Sequence, residues 1–169
     1  PVQHDLYHGG VLDATCLSAA ETDFRGNVNV SKLGSKVTGC GGFIDISQET
    51  GCVIFGGTLC AKSRVRYEDG RAIVEEQGKI RKFVNKVQQI TFSADYALKQ
   101  GKKVIFITER CVFRLTPDGL MLTEIAPGID IERDIIANMD YRPLIADYLK
   151  LMPAEIFREG RMGLEKFWN

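Results

Sequence analysis

The chain has 169 residues, 44% of them hydrophobic and 26% charged, and a mean hydropathy of −0.09. That length suits one domain rather than two, and that balance excludes disorder, collagen-like repeats and a membrane bundle. Lys plus Arg number 22 and Asp plus Glu number 22, so no net field draws the chain to nucleic acid or to an anionic membrane, and neither is expected as a partner.

The sequence opens on Pro1 without a charged n-region and apolar h-region, which reads as a processed chain or part of a longer one. No run approaches the ~18 apolar residues of a membrane span. The five cysteines, Cys16, Cys40, Cys52, Cys60 and Cys111, include no C-x-x-C pair. The odd count is poor for zinc and for a disulfide framework, so no metal is expected, and free thiols in a reducing cytoplasm are. Cys16, Cys52, Cys60 and Cys111 lie in apolar runs and read as small core residues. Cys40, between glycines, is the one placed near potential chemistry.

In chain order, residues 14–22 are small and apolar, Asp23-Phe24-Arg25-Gly26-Asn27 supplies turn chemistry, and Val28-Asn29-Val30-Ser31 alternates, which is a hairpin signal. Asn27 and Asn29 are expected to serve that turn and strand. A glycine-rich stretch over residues 34–42 leads to a short helix at about Phe43 and then to a strand, Cys52-Val53-Ile54-Phe55, that ends at Gly56-Gly57. Residues 63–92 alternate with period two around Asp69-Gly70 and Gln77-Gly78, the pattern of an antiparallel meander. Strands follow at residues 103–108, 111–115 and 120–125. Helices are expected beyond Asp130, a candidate N-cap, with Ile131, Ile135, Ile136 and Met139 on one face. A second is expected from Pro143, with Leu144, Ile145, Tyr148, Leu149 and Met152 buried. The domain is expected to span residues 1–152, and residues 153–169 form a tail in which Trp168 reads either as a docking contact or as foreign to the domain.

Thr38-Gly39-Cys40-Gly41-Gly42-Phe43 is the most informative local feature. Three glycines in four residues remove the Cβ atoms that would hold a ligand off the backbone, and they permit positive φ, so several N–H groups can converge on one anion. A plain structural turn is the competing reading, and this spacing alone does not separate them. His8 beside Gly9-Gly10 reads as a hydrogen-bonded loop residue. Lys62, Arg64 and Arg66 share one strand face, read first as solvated and second as a phosphate contact. Glu76-Gln77-Gly78 reads as a turn, since a carboxylate there is hydrated.

Four segments in register, Tyr7-His8-Gly9-Gly10, Arg25-Gly26-Asn27-Val28-Asn29-Val30-Ser31, Gly39-Cys40-Gly41-Gly42-Phe43-Ile44-Asp45-Ile46 and Ala126-Pro127-Gly128-Ile129-Asp130-Ile131-Glu132-Arg133-Asp134-Ile135, resemble the carboxy-terminal (β) half of the short-chain acyl-CoA:acetate CoA-transferases. The resemblance runs through about Met152. It implies an open α/β domain with a mixed sheet, an antiparallel meander and C-terminal helices. The implied activity is ping-pong transfer of CoA between an acyl-CoA and a carboxylate such as acetate, through a glutamyl-CoA thioester. Coenzyme A is then a substrate, and no permanently bound cofactor is expected. Gly39, Gly41 and Gly42 are the implied oxyanion and CoA-binding residues, and Lys62 the implied contact for the CoA phosphates. The family's nucleophilic glutamate lies upstream of the Tyr-His-Gly-Gly segment, so it is expected upstream of Pro1, and this chain alone is expected to be inactive. Implied partners are an α-domain or α-subunit and further copies in a homo-oligomer. The alternative is a non-catalytic CoA- or nucleotide-binding module, and a third reading makes the glycines structural turns only.

Overall fold

A computed structural model of the chain describes residues 2–163 and 165. In order, the elements are α1 (Val2–His8), β1 (Ala14–Leu17), β2 (Glu21–Thr22), β3 (Val28–Asn29), β4 (Lys32–Leu33), β5 (Lys36–Val37), α2 (Phe43–Gln48), β6 (Cys52–Gly56), β7 (Cys60–Ala61), β8 (Arg64–Glu68), β9 (Arg71–Glu76) and β10 (Ile80–Arg81). Then come α3 (Ala94–Lys99), β11 (Lys103–Ile107), β12 (Cys111–Thr116), β13 (Gly119–Ile125), a π-type turn (Ile131–Ile135) running into a 3-10 turn (Ile136–Asn138), β14 (Leu144–Leu151) and a last 3-10 turn (Ala154–Phe157).

Six strands form one mixed sheet in the order β1-β6-β11-β12-β13-β14. β1, β6 and β11 are mutually parallel, β11 to β13 antiparallel, and β13 and β14 parallel. β11 buries Val104, Ile105 and Phe106 in succession, and β12 buries Cys111, Val112 and Phe113, the continuous apolar reading of strands covered on both faces. Phe55 on β6 stacks on Phe43 of α2 and on Phe106 of β11, with centroids at 5.9 and 5.0 Å, and meets Phe92 edge-on at 5.1 Å. This aromatic cluster is the centre of the core.

The expected hairpin is present: β2 pairs with β3 around the turn at residues 23–27. Asn27 donates to Asp23 and accepts the amide of Ala94, and Asn29, fully buried, donates to Glu21 and to the Lys32 carbonyl, so both asparagines organise the loops around their own strand. The meander is shorter than its alternation implies. β8 and β9 pair around Asp69-Gly70, but Ile80–Arg81 turns away to pair with β7. Gly78 makes that turn possible: a Cβ there would lie 2.2 Å from the Cβ of Cys60.

The C-terminal helices are replaced. Asp130 caps the expected first helix, accepting from the Arg133 amide at 2.8 Å, but only a π-type turn and a 3-10 turn follow. The expected second helix is β14, parallel to β13. Its apolar residues fit a helical stripe by spacing, yet Ile145, Tyr148 and Leu151 are exposed, because pairing with the open backbone edge of β13 satisfies donors and acceptors that a helix would leave bare. α3, which period-two alternation hides, is capped by Ser93 and buries Ala94 and Ala97. Beyond residue 152, Phe157 is buried and lies 5.9 Å from Tyr67. Trp168 lies outside the described residues.

Phe55→Ala removes the ring shared by all three contacts and is expected to cost about 3–5 kcal/mol, read as a fall in the urea midpoint at constant m-value.

Candidate functional site at the carboxyl edge of the parallel strands

In open α/β sheets, ligands bind beyond the carboxyl ends of parallel strands. Here β1, β6 and β11 end on one edge, with Leu17 opposite Phe55 and Ile107 opposite Gly56. Two glycine segments are tied to this edge through Phe55. Gly56-Gly57 follows Phe55 directly, and the Gly39–Gly42 loop precedes Phe43, which the ring stack sets on Phe55.

The Gly39–Gly42 loop is held from below. Ser31 accepts the Thr38 and Gly39 amides through its carbonyl, the Thr38 hydroxyl donates to the Val30 carbonyl, and Ser31 itself is fixed by Asn29 and by the Thr91 hydroxyl. Gly39 and Gly41 have φ of 78° and 54°, and a Cβ on either would meet nothing within 4 Å. Glycine is therefore set by backbone conformation and not by crowding. The N–H groups of Gly41 and Gly42 make no hydrogen bond among the described residues. The loop thus presents free donors next to open space, the arrangement an anion or oxyanion needs.

The second segment is fixed by ion-pair chemistry that the sequence does not announce. Glu109, just past β11, accepts the Leu59 amide at 2.8 Å with one oxygen and the Arg110 Nε at 3.0 Å with the other. Arg110 is fully buried, and its Nη1 donates to Gln77 Oε1 and to the Asp134 carbonyl, each at 2.7 Å. Asp134, also buried, accepts from Arg133, Gln77 and the Asp130 amide, and those bonds hold its carboxyl below the ordinary range. Glu76-Gln77-Gly78 is accordingly the turn expected, and Gln77 is what it contributes. Glu76 itself is exposed and paired with Arg64. Beside the Gly56-Gly57 segment a niche of about 20 Å³ is lined by Phe55, Gly57, Thr58, Lys82, Phe106 and Thr108, among others, and no residue of the Gly39–Gly42 loop lines it.

The other residues that the sequence singles out lie apart from this niche. Lys62 is an exposed turn residue with φ of 62° between β7 and β8, and it does not line the niche. Arg64 and Arg66 pair with Glu75, Glu76 and Glu68 on the solvated face of the hairpin. His8 is hydrogen-bonded as expected, but from the end of α1: it and His4 each lie 2.9 Å from a different oxygen of Asp45. Cys60 and Cys111 are buried, and burial pushes the Cys111 thiol up to about 12. Cys16 is exposed and Cys52 half-buried, so the core reading fails for Cys16, whose position on an edge strand turns its side chain outward. All five thiols are free. Among the described residues no group of three or more His, Cys, Asp or Glu is set to hold a metal ion, and no helix is long and apolar enough to cross a membrane.

No family model matches the chain. It is 48% identical over 162 residues to the acetate CoA-transferase YdiF of Escherichia coli, covering 95% of this chain and 30% of that protein. It is 43% identical over 166 residues to the caffeate CoA-transferase of Acetobacterium woodii, covering 95% and 32%. The crystal structure of the acyl-CoA transferase YdiF from Escherichia coli superposes with a TM-score of 0.93 at 47% identity, over 96% of this chain and 32% of that one. The same enzyme has been crystallised as a thioester complex with CoA. The chain spans about a third of the length of these relatives. It is homologous to that part of the CoA-transferases and has their fold, as the four motifs imply.

Glu109→Ala would strand the Leu59 amide and a buried guanidinium together, and it is expected to lower stability by about 3–5 kcal/mol in urea unfolding at neutral pH. The hydrogen bonds from His8 and His4 lower the Asp45 carboxyl below its usual 3.8. A depressed carboxyl stabilises the fold above its unfolded value, and that contribution is lost as pH falls through the folded one. Asp45→Asn is therefore expected to lower the urea midpoint near pH 6, and the difference from the parent chain is expected to vanish in strong acid.

Proposed function

We propose that this chain forms the glycine-rich side of the active site of a CoA-transferase that moves CoA between a short-chain acyl-CoA and a carboxylate such as acetate. The single observation that carries the reading is the pair of unengaged amides at Gly41 and Gly42, on the carboxyl edge of a sheet homologous to part of acetate CoA-transferase YdiF. In the proposed cycle a glutamate attacks the thioester, giving an acyl anhydride and then a glutamyl-CoA thioester. Each tetrahedral step develops an oxyanion, and preorganised N–H donors at Gly41 and Gly42 would stabilise it by roughly 3–4 kcal/mol per lost donor, judged from other oxyanion holes; Gly39, whose amide is taken by the Ser31 carbonyl, is proposed to contact CoA without donating to the oxyanion. Lys62 is proposed to meet the CoA phosphates from its exposed turn.

The nucleophile is proposed to come from outside this chain. The carboxylates around the edge are already committed: Glu109 by Leu59 and Arg110, Asp45 by two histidines, Glu21 by Asn29 and Gln88. Glu76 is engaged in a surface ion pair. The partner that brings the glutamate is proposed to be an α-domain or α-subunit, the whole a homo-oligomer in the cytoplasm, where five free thiols are stable.

Exchange of labelled acetate into acetyl-CoA by the full-length protein tests the reading. Exchange is expected there and absent from this chain alone. Gly41→Val, whose φ of 54° a β-branched residue resists, is expected to lower kcat by about 10²-fold or more while the fold persists. CoA binding without any exchange by the full-length protein would favour the non-catalytic module instead.

A further inference from the structure

Among the described residues Lys82 has no counter-charge. It is half-buried, it lines the niche with Phe55 and Phe106, and among the described residues its ammonium makes no ion pair and no hydrogen bond. A cation lining a niche whose other walls are largely apolar leaves room for an anion to pair with it there. The ammonium lies beside the turn: a Cβ on Gly57 would be 3.3 Å from Nζ. Gly57 does not have positive φ, so its backbone conformation alone does not require glycine.

We propose that Lys82, together with the turn at residues 56–58, is the subsite for the carboxylate group of the small acid substrate. The niche, at about 20 Å³, takes one water-sized group, which suits one end of a carboxylate and excludes a nucleotide diphosphate. The phenyl rings behind it lower the local dielectric so that the ammonium–carboxylate attraction gains strength, while the alkyl end of the acid lies outside the niche. The ring stack that sets Phe43 on Phe55 also puts this anchor on the same edge as the free amides of Gly41 and Gly42. Glu109 is a positioning residue for the subsite, since its bond to Leu59 fixes the far end of the turn. The assignment rests on the CoA-transfer reading for the identity of the acid, and on the niche alone for the binding of a carboxylate.

The test is ligand-observed NMR of ¹³C-acetate with the full-length protein, with inorganic phosphate as a competitor in a second arm. Acetate is expected to bind, and Lys82→Met to weaken it about tenfold with the thermal midpoint kept. Lys82→Arg, which keeps the charge, is expected to retain most of the binding. Absence of acetate binding to the parent protein, equal binding in Lys82→Met, or displacement of acetate by a lower concentration of phosphate overturns the subsite. In exchange assays, Lys82→Met is expected to raise KM for the free carboxylate about tenfold and to leave KM for the acyl-CoA unchanged; equal rises in both overturn it as well. Lys82-dependent acetate binding in a protein that exchanges no CoA would sink the transfer reading and leave the subsite standing.

Discussion

The contact on which the rest of the site depends is the stack of Phe43 on Phe55 and of Phe55 on Phe106. Three rings from a helix and two parallel strands share one apolar cluster, and each lies within a few residues of a segment with no large side chain: Gly42 before Phe43, Gly56 after Phe55, Thr108 beyond Phe106. Burial of the rings is the stabilising term, roughly 1.5–3 kcal/mol for each fully buried aromatic. Its consequence is positional. Backbone that carries no large side chain is brought toward one sheet edge by rings that cannot be moved without opening a cavity.

A second layer of polar bonds keeps that backbone in place. Arg110 and Glu109 are an internal ion pair of the kind whose net contribution to stability is small, because desolvation offsets the attraction. Its value lies in specificity of arrangement. The pair joins the turn before β7, the Gln77 turn and the Asp134 turn, three segments with little regular structure of their own. On the other side, buried Asn29 and Ser31 do the same for the glycine loop. On the proposed reading, the aromatic floor and bonded loops together give donors that need no reorganisation when charge develops, which is the property electrostatic catalysis requires.

The sequence disclosed the strands and the glycine loop because both are local signals. Cys52-Val53-Ile54-Phe55 ending at Gly-Gly is a buried parallel strand by composition, and Gly39 and Gly41 carry the positive φ that their residue type permits. It misled where a choice was made by the sheet. Residues 144–151 have helical spacing, but the free edge of β13 decided for a strand. Ile80–Arg81 left the meander for β7 because Gly78 lets two backbones touch. The site residues that escaped notice, Lys82, Glu109 and Arg110, sit inside or beside strand-like runs, where a charged residue reads as an outward-facing position. Thr108-Glu109-Arg110 carried one usable signal: two adjacent charges between continuous apolar strands leave no solvent face for either to occupy.

The central claim is that the amides of Gly41 and Gly42 serve the reacting carbonyl at the edge of the parallel strands. A crystal structure of the full-length protein trapped as its CoA thioester tests it most directly. The account predicts the thioester oxygen about 3 Å from one or both amide nitrogens, with the acid end of the site toward Lys82. A thioester whose oxygen is bound elsewhere, with Gly41 and Gly42 facing only solvent, would contradict it.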